Sequence, residues 1–313
     1  MTQLAQLSQD LAALVRGGEG QVVRLAGRRR VATGTVWSAD GLVVATAHGL
    51  GDEDEVEVTR PDGTAVPGEV VGRDPTTDLA VVRIAAQGLT APAWAEPEGL
   101  AAGELLVALS RTGESVRASL GLLSIAAGAW RAPAGGRLER YLETSLPIQP
   151  GLSGSLVLAA DGRPLGLASA GLLRGEALLV PAPTLRRAVK GILAHGGARR
   201  GYLGVATFPI RLGPAEAATA GQEGALLISG VEPESPAARA GLRLGDALLG
   251  VDGQEVAEPQ DLAPVLEPER VGDAVAVRLL RAGEVLERSL TIGAREPRLG
   301  GERHGRGHGR GCG

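Results

Sequence analysis

The chain has 313 residues, 44% of them hydrophobic and 22% charged, with a formal net charge of −4 at pH 7. That length exceeds what one compact core serves, so two domains are expected. The weak acidity argues against a phosphate-binding surface and so against a nucleic-acid partner, and the single cysteine, Cys312, rules out an intrachain disulfide.

No apolar stretch approaches the ~20 residues of a membrane span. The N-terminus lacks the basic-then-apolar pattern of a secretory signal, so the chain as written is expected to be cytoplasmic, or extracytoplasmic if its start is misassigned. Leu4, Leu7, Leu11 and Leu14 recur at helical spacing. They predict an amphipathic helix within residues 1–20 that packs on the chain's own domain, the run being too short for a coiled coil.

Short β-type runs follow: Gln21–Leu25, Thr33–Trp37, Leu42–Thr46, Val56–Thr59 and Leu79–Ile84, with Asp40-Gly41 and Asp62-Gly63 as hairpin signals. A second set comprises Leu105–Leu109, Ser119–Ile125, Ser155–Leu158, Leu165–Ala168 and Ala177–Val180, and Thr184–Ala194 has helical spacing. Two such sets predict a mainly β fold, with two six-stranded barrels packed together over residues 21–194.

The glycine-rich segment 195–201 reads as a linker into a second domain, residues 202–295. There, strands at Leu203–Ala206, Ala225–Val231, Ala247–Val251, Ala274–Leu280 and Val285–Thr291 surround one short helix. Ser235 suits its N-cap, Pro236 its first turn and Gly241 its C′ position. Residues 296–313, mostly Gly, Arg and His, are expected to be disordered. His304 and His308 sit among glycines that disfavour a helix, so neither a metal nor any other cofactor is expected.

Hydrolysis of a peptide bond by serine needs a hydroxyl that attacks, an imidazole that takes its proton, and a carboxylate that orients the imidazole. Donors must also meet the oxyanion. Thr46-Ala47-His48, Thr77-Asp78-Leu79-Ala80 and Pro150-Gly151-Leu152-Ser153-Gly154 offer these groups in the order His, Asp, Ser, the order of the chymotrypsin branch. Each adjoins an apolar β run. His48 and Asp78 fall in the first set of strands and Ser153 in the second, which places the site at the seam of the two barrels. Asp74, before Pro75, reads as a turn residue.

The segments Thr33-Gly34-Thr35-Val36-Trp37 with Asp40–His48, Arg73-Asp74-Pro75-Thr76-Thr77-Asp78, and Thr144–Val157 with Asp161–Gly166 resemble the His, Asp and Ser motifs of the HtrA (Deg) family of trypsin-like serine proteases. Gly201–Val205 and Ser235–Asp246 followed by Val251–Gly253 are similar to that family's PDZ domain. The resemblance implies chymotrypsin-type barrels, Ser153 as nucleophile, His48 as general base, Asp78 orienting it, and the N–H groups of Gly151 and Ser153 as the oxyanion hole. It also implies a PDZ groove in which Tyr202, Leu203, Gly204 and Val205 capture peptide C-termini. Leu152, Ser155 and Gly49 depart from the family's usual residues, and Pro264 and Pro268 interrupt the segment expected to form the helix beside the groove.

The small residues Ala168, Ser169 and Ala170 imply a small or medium aliphatic residue ahead of the cleaved bond. The function implied is endopeptidase action on unfolded or damaged proteins, in a homotrimer. The alternative is an inactive, protease-like PDZ scaffold or peptide-binding chaperone.

Overall fold

The computed structural model describes residues 2–197, 200–267 and 270–295. Pro268, the histidines at 304 and 308, Cys312 and the expected disorder of residues 296–313 lie outside them. The chain opens with α1 (Gln3–Gly18), capped by the Thr2 hydroxyl, which accepts from the Ala5 N–H. Leu11, Leu14 and Val15 pack on Val22, Val107, Leu109, Leu156 and Leu158. Leu4 and Leu7 are 79% and 44% exposed, so only the second half of the apolar stripe is covered.

Strands β1 (Val22–Ala26), β2 (Val31–Val36) and β3 (Leu42–Thr46) lead into the single turn α2 (Ala47–Leu50). They are followed by β4 (Glu55–Thr59), β5 (Ala65–Asp74) and β6 (Leu79–Ile84). These six strands close a barrel in the order β1-β2-β3-β6-β5-β4, with β1 pairing β4 across the join. Val23, Leu25, Val43, Val58 and Val82 are among the residues filling it.

The second barrel begins with β7 (Leu105–Ser110) and β8 (Arg117–Ala126). A small hairpin, β9 (Trp130–Arg131) with β10 (Arg137–Leu138), stands outside it. Then come β11 (Leu142–Thr144), β12 (Leu156–Ala159), β13 (Pro164–Ser169) and β14 (Ala177–Pro181), closing the barrel as β11-β14-β13-β12-β7-β8. Between the barrels, Val44, Leu79 and Val81 of the first meet Leu167, Leu178 and Val180 of the second. Helix α3 (Ala182–His195) covers this seam with Leu185, Ala188, Val189 and Ile192. Their spacing gives one apolar face, and Gly196 ends the helix in the left-handed conformation at φ +72°.

A second domain follows α3. Strand β15 (Arg200–Tyr202) is paired with a final strand of the domain, so the expected linker ends in a strand rather than a loop. Next come β16 (Val205–Arg211), α4 (Pro214–Ala220), β17 (Gly224–Val231), α5 (Pro236–Arg239), β18 (Ala247–Val251) and β19 (Gln254–Glu255). Strands β20 (Ala274–Arg281), β21 (Glu284–Thr291) and β22 (Gly293–Arg295) complete it. The main sheet runs β16-β17-β18-β20-β21, which leaves β16 on an open edge. The Ser235 hydroxyl accepts from the Ala238 N–H and caps α5 as expected.

The expected strand Leu203–Ala206 is displaced: Leu203 and Gly204 form a loop, and the strand begins at Val205. Where a full helix would flank the groove there is one 3-10 turn, Pro259–Leu262, extended by bonds from the Val265 and Leu266 N–H groups to the Leu262 carbonyl. Pro264 accounts for its shortness, since proline lacks the N–H that an α-helix needs. The two domains meet through the Arg131–Glu267 ion pair at 2.9 Å, beside a cavity of about 490 Å³ lined by Thr76, Gly136 and Leu266 among others.

Candidate active site

The first barrel brings His48 and Asp78 together. Strand β3 delivers His48 in the turn α2, and Asp78 immediately precedes β6, the strand paired with β3. Asp78 sits at φ +57°, an uncommon conformation for a residue with a side chain. Four contacts hold it there. Its carbonyl accepts from the Ala47 N–H at 3.1 Å, Oδ1 accepts from the His48 N–H at 3.0 Å, and Oδ2 meets His48 Nδ1 at 2.7 Å. The fourth is the Ser169 hydroxyl, which donates to Oδ2 at 2.5 Å. The Asp78 side chain is 6% exposed and that of His48 42%, so the carboxylate is enclosed while the imidazole faces solvent.

Asp74 is separate from this arrangement. Its carboxylate accepts from the Thr76 N–H and from the hydroxyls of Thr76 and Thr77, at 2.6–2.9 Å, which makes it the turn residue its position before Pro75 suggests.

The second barrel supplies Ser153, on the loop between β11 and β12. Its Oγ accepts from the Ala170 N–H at 3.1 Å, and among the described residues no hydrogen bond joins it to His48. Ser169, Ala170 and Gly171, at the end of β13, therefore touch all the groups in question. Ser169 reaches Asp78 and Ala170 reaches Ser153. Gly171 lies so close to the imidazole that an added Cβ would stand 2.4 Å from His48 Nδ1.

The departures around Ser153 have defined places. Leu152 is 2% exposed and packs in the core of the second barrel, while the buried Ser155 hydroxyl donates to the Gly151 carbonyl at 3.2 Å. Gly151 has φ +88°, a conformation open to glycine, and its missing Cβ would stand 2.0 Å from Thr112 Cγ2. Among the described residues no acceptor meets the N–H of Gly151 or of Ser153. Gly49 follows His48 where an added Cβ would come within 2.7 Å of Thr46 Oγ1.

In the second domain, Leu203 is buried in the core and Val205 packs partly against it. Gly204 turns the loop at φ +82°, and the Tyr202 hydroxyl bonds to the Glu232 carboxylate. The carbonyls of Leu203 and Gly204 accept from the N–H groups of Ala237 and Glu232, both at 2.8 Å. Among the described residues the N–H groups of Leu203 and Gly204 meet no acceptor, and they stand beside the open edge of β16.

The residues that sequence reasoning missed are the partners: Ser169 for Asp78, and Thr33, Thr35 and Ser155 for the loop carrying Ser153. Their signal was a hydroxyl at a position where the strand pattern demands burial, since a buried hydroxyl must find a partner.

Two family models match the chain, a trypsin-like peptidase domain over residues 32–167 and a PDZ domain over residues 201–292. The fold and site therefore define a trypsin-like peptidase domain joined to one PDZ domain. Curated relatives include a probable periplasmic serine endoprotease DegP-like of Halomonas elongata, 29% identical over 85% of this chain and 57% of the relative. The corresponding protein of Chlamydia muridarum is 29% identical over 83% of this chain and 53% of the relative. This chain thus spans little more than half the length of the curated relatives it matches.

Among solved structures, the HtrA-type protease AlgW with tripeptide is 27% identical, covers 93% of this chain and 99% of its own, and gives a TM-score of 0.69. The AlgW structure with decapeptide is 24% identical, with coverages of 92% and 99% and a TM-score of 0.71. The chain thus carries a trypsin-like peptidase domain followed by one PDZ domain, and is similar to DegP-like and HtrA-type serine proteases.

Proposed function

We propose that this chain is a serine endopeptidase in which Ser153 attacks the peptide carbonyl, His48 takes its proton and Asp78 holds the imidazole. The observation that carries this reading is the enclosed carboxylate of Asp78 against His48 Nδ1 at 2.7 Å, next to a segment that also touches Ser153. A carboxylate on Nδ1 fixes the tautomer that leaves Nε2 as the base, and stabilises the imidazolium that forms. The unengaged N–H groups of Gly151 and Ser153 are the donors for the oxyanion. For attack, the Ser153 hydroxyl turns from the Ala170 N–H toward His48; catalytic bonds of this kind commonly tighten only with substrate bound.

The substrates are unfolded or damaged polypeptides with a small or medium aliphatic residue ahead of the cleaved bond. Ala168, Ser169 and Ala170, small and uncharged, are the residues that suggest this preference. In the PDZ domain, a peptide adds as a strand to the edge of β16 and gives its carboxylate to the N–H groups of Leu203 and Gly204. The names of the curated relatives call them periplasmic, which favours the extracytoplasmic of the two placements open to this chain; among the described residues no helix is long and apolar enough to cross a membrane. A homotrimer belongs to the same reading, and gel filtration reads it directly.

A fluorophosphonate probe tests the enzyme. Labelling and casein cleavage that both vanish in Ser153→Ala support it; wild-type protein that does neither refutes it. One observation favours a second reading, an inactive peptide-binding scaffold: the Ser153 hydroxyl rests on Ala170 and not on His48. That reading requires the absence of labelling together with retained binding of peptides that end in a free carboxylate.

A further inference from the structure

Ser153 lies between two carbonyls, those of Gly151 and Gly154, and each is held from the opposite barrel. Thr33 Oγ1 donates to the Gly151 carbonyl at 3.0 Å and Thr35 Oγ1 to the Gly154 carbonyl at 3.1 Å. Both threonines have zero exposure, and their spacing of two places them on the same face of β2. A hydroxyl carries one proton, so its direction depends on what its lone pairs receive. Thr33 Oγ1 accepts from the Arg111 N–H at 3.0 Å, which leaves its proton for Gly151.

Arg111 is itself fixed, and without a carboxylate. The residue is 7% exposed, and its guanidinium donates from Nε to the Val22 carbonyl at 3.1 Å, from Nη1 to Glu114 at 2.7 Å and from Nη2 to Glu19 at 3.2 Å. Glu19 follows the last residue of α1, so the charge sits at the negative end of that helix, where a cation is stabilised. The next residue, Thr112, places its methyl group against Gly151. A continuous line of contacts thus runs from the end of α1 through Arg111 and Thr33 to the loop that carries Ser153.

The geometry points to Thr33 as a positioning residue for the oxyanion hole, with its hydroxyl oriented by Arg111. This rests on Ser153 being the nucleophile. The pinned carbonyls fix the Gly151–Leu152 and Gly154–Ser155 peptide planes, which adjoin the planes bearing the Gly151 and Ser153 N–H groups and so limit how far those N–H groups can turn. Losing the Thr33 hydroxyl leaves the Gly151 carbonyl only the longer bond from Ser155, at 3.2 Å within its own loop, and lets the adjoining N–H drift. Donors to an oxyanion act in the transition state and not on the bound substrate. The loss therefore falls on kcat and leaves KM in place.

The test compares Thr33→Val, which keeps the shape and removes the hydroxyl, with Thr33→Ser, which keeps the hydroxyl. The readouts are kcat and KM on a peptide substrate, the rate of fluorophosphonate labelling, and thermal unfolding. Thr33→Val is expected to lower kcat and the labelling rate by about tenfold or more, the worth of one such hydrogen bond, with KM unchanged. Thr33→Ser should keep both rates within about threefold of wild type, as expected when the hydrogen bond is retained.

If Thr33→Val does not fold, Thr33→Ala, which removes the same hydroxyl from a smaller side chain, decides by the same split between kcat and KM. The inference fails if Thr33→Val retains wild-type kcat, if Thr33→Ser loses as much as Thr33→Val, or if KM rises in step with the fall in kcat. Each of these outcomes needs an active wild type. A wild type that neither labels nor cleaves instead overturns the assignment of Ser153, and this inference with it.

Discussion

Ser169 and Asp78, 91 residues apart, share a 2.5 Å hydrogen bond on the same carboxylate oxygen that meets His48 Nδ1. The bond crosses the seam between the barrels, so the carboxylate of one is held by the hydroxyl of the other. Removing the hydroxyl in Ser169→Ala leaves Asp78 with its two bonds to His48 and loosens its orientation. A hydrogen bond to a charged group is worth roughly 1.5–3 kcal/mol. A fall in kcat of about tenfold or more is expected from a loss of that size, with KM little changed. Steady-state kinetics on a peptide substrate checks it, and an unchanged kcat would remove Ser169 from the catalytic arrangement.

Gly171 offers a sharper test because the residue is exposed and its replacement leaves the core alone. An added Cβ would stand 2.4 Å from His48 Nδ1 and 2.7 Å from Asp78 Oδ2, so Gly171→Ala must drive the pair apart or swing the imidazole away. A misplacement on the order of 1 Å costs about 10²-fold in rate. Activity should fall by that much with the melting temperature nearly unchanged. Activity near wild type would mean that the His48–Asp78 contact is dispensable.

Gly151→Ala should be inactive for a different reason. It puts a side chain on a residue at φ +88° and against Thr112. The loop must rearrange to accept it, and loss of the oxyanion donor proposed at Gly151 is expected to cost about 10²–10³-fold in kcat. Circular dichroism should still report a folded protein, since the change is confined to one loop.

The PDZ domain carries its own pH dependence. The Asp246 carboxylate, almost fully buried, is gripped by Arg281 Nε and Nη2 at 2.7 and 2.9 Å and by the Arg243 N–H at 2.7 Å. Burial alone pushes its pKa up, but these donors outweigh it and hold the carboxyl below its ordinary value. A depressed folded-state pKa stabilises the domain fully above the unfolded value, about 3.9, and that contribution is lost as pH falls through the folded value. The PDZ melting transition should therefore drop as pH is lowered below about 4, close to the unfolded value. Asp246→Asn should destabilise the domain at neutral pH by roughly 1.5–3 kcal/mol, the worth of hydrogen bonds to a charged group. In that variant, acid titration followed by thermal melts should show a flatter curve.

Much of this molecule was legible in its sequence, for a physical reason. Leu42–Thr46 and Leu79–Ile84 are largely apolar runs, broken only by the exposed Arg83 and ending at Thr46, and fold as strands with those boundaries, paired with each other. Their register, Thr46 opposite Leu79, is what sets His48 beside Asp78. Strand β5 was not legible: Pro67, Gly68 and Gly72 break its pattern, and it is held by pairing with β4 on one side and β6 on the other. Strand β11, three residues long, was too short to stand out. The roles of Ser169, Thr33 and Arg111 depend on partners 91, 118 and 78 residues away, and no local pattern encodes such distances.

The Ser169–Gly171 segment has a consequence for anyone who would retarget this fold. These three residues touch Asp78, Ser153 and His48 in turn, so Ser169 is bound to its hydroxyl and Gly171 to its missing Cβ, while Ala170 makes its contact through the backbone N–H. A library randomised across them would return a hydroxyl at 169 and glycine at 171, whatever peptide was used for selection. Leu172, the next residue, is buried in the core between the barrels, so new substrate preference has to come from outside this segment.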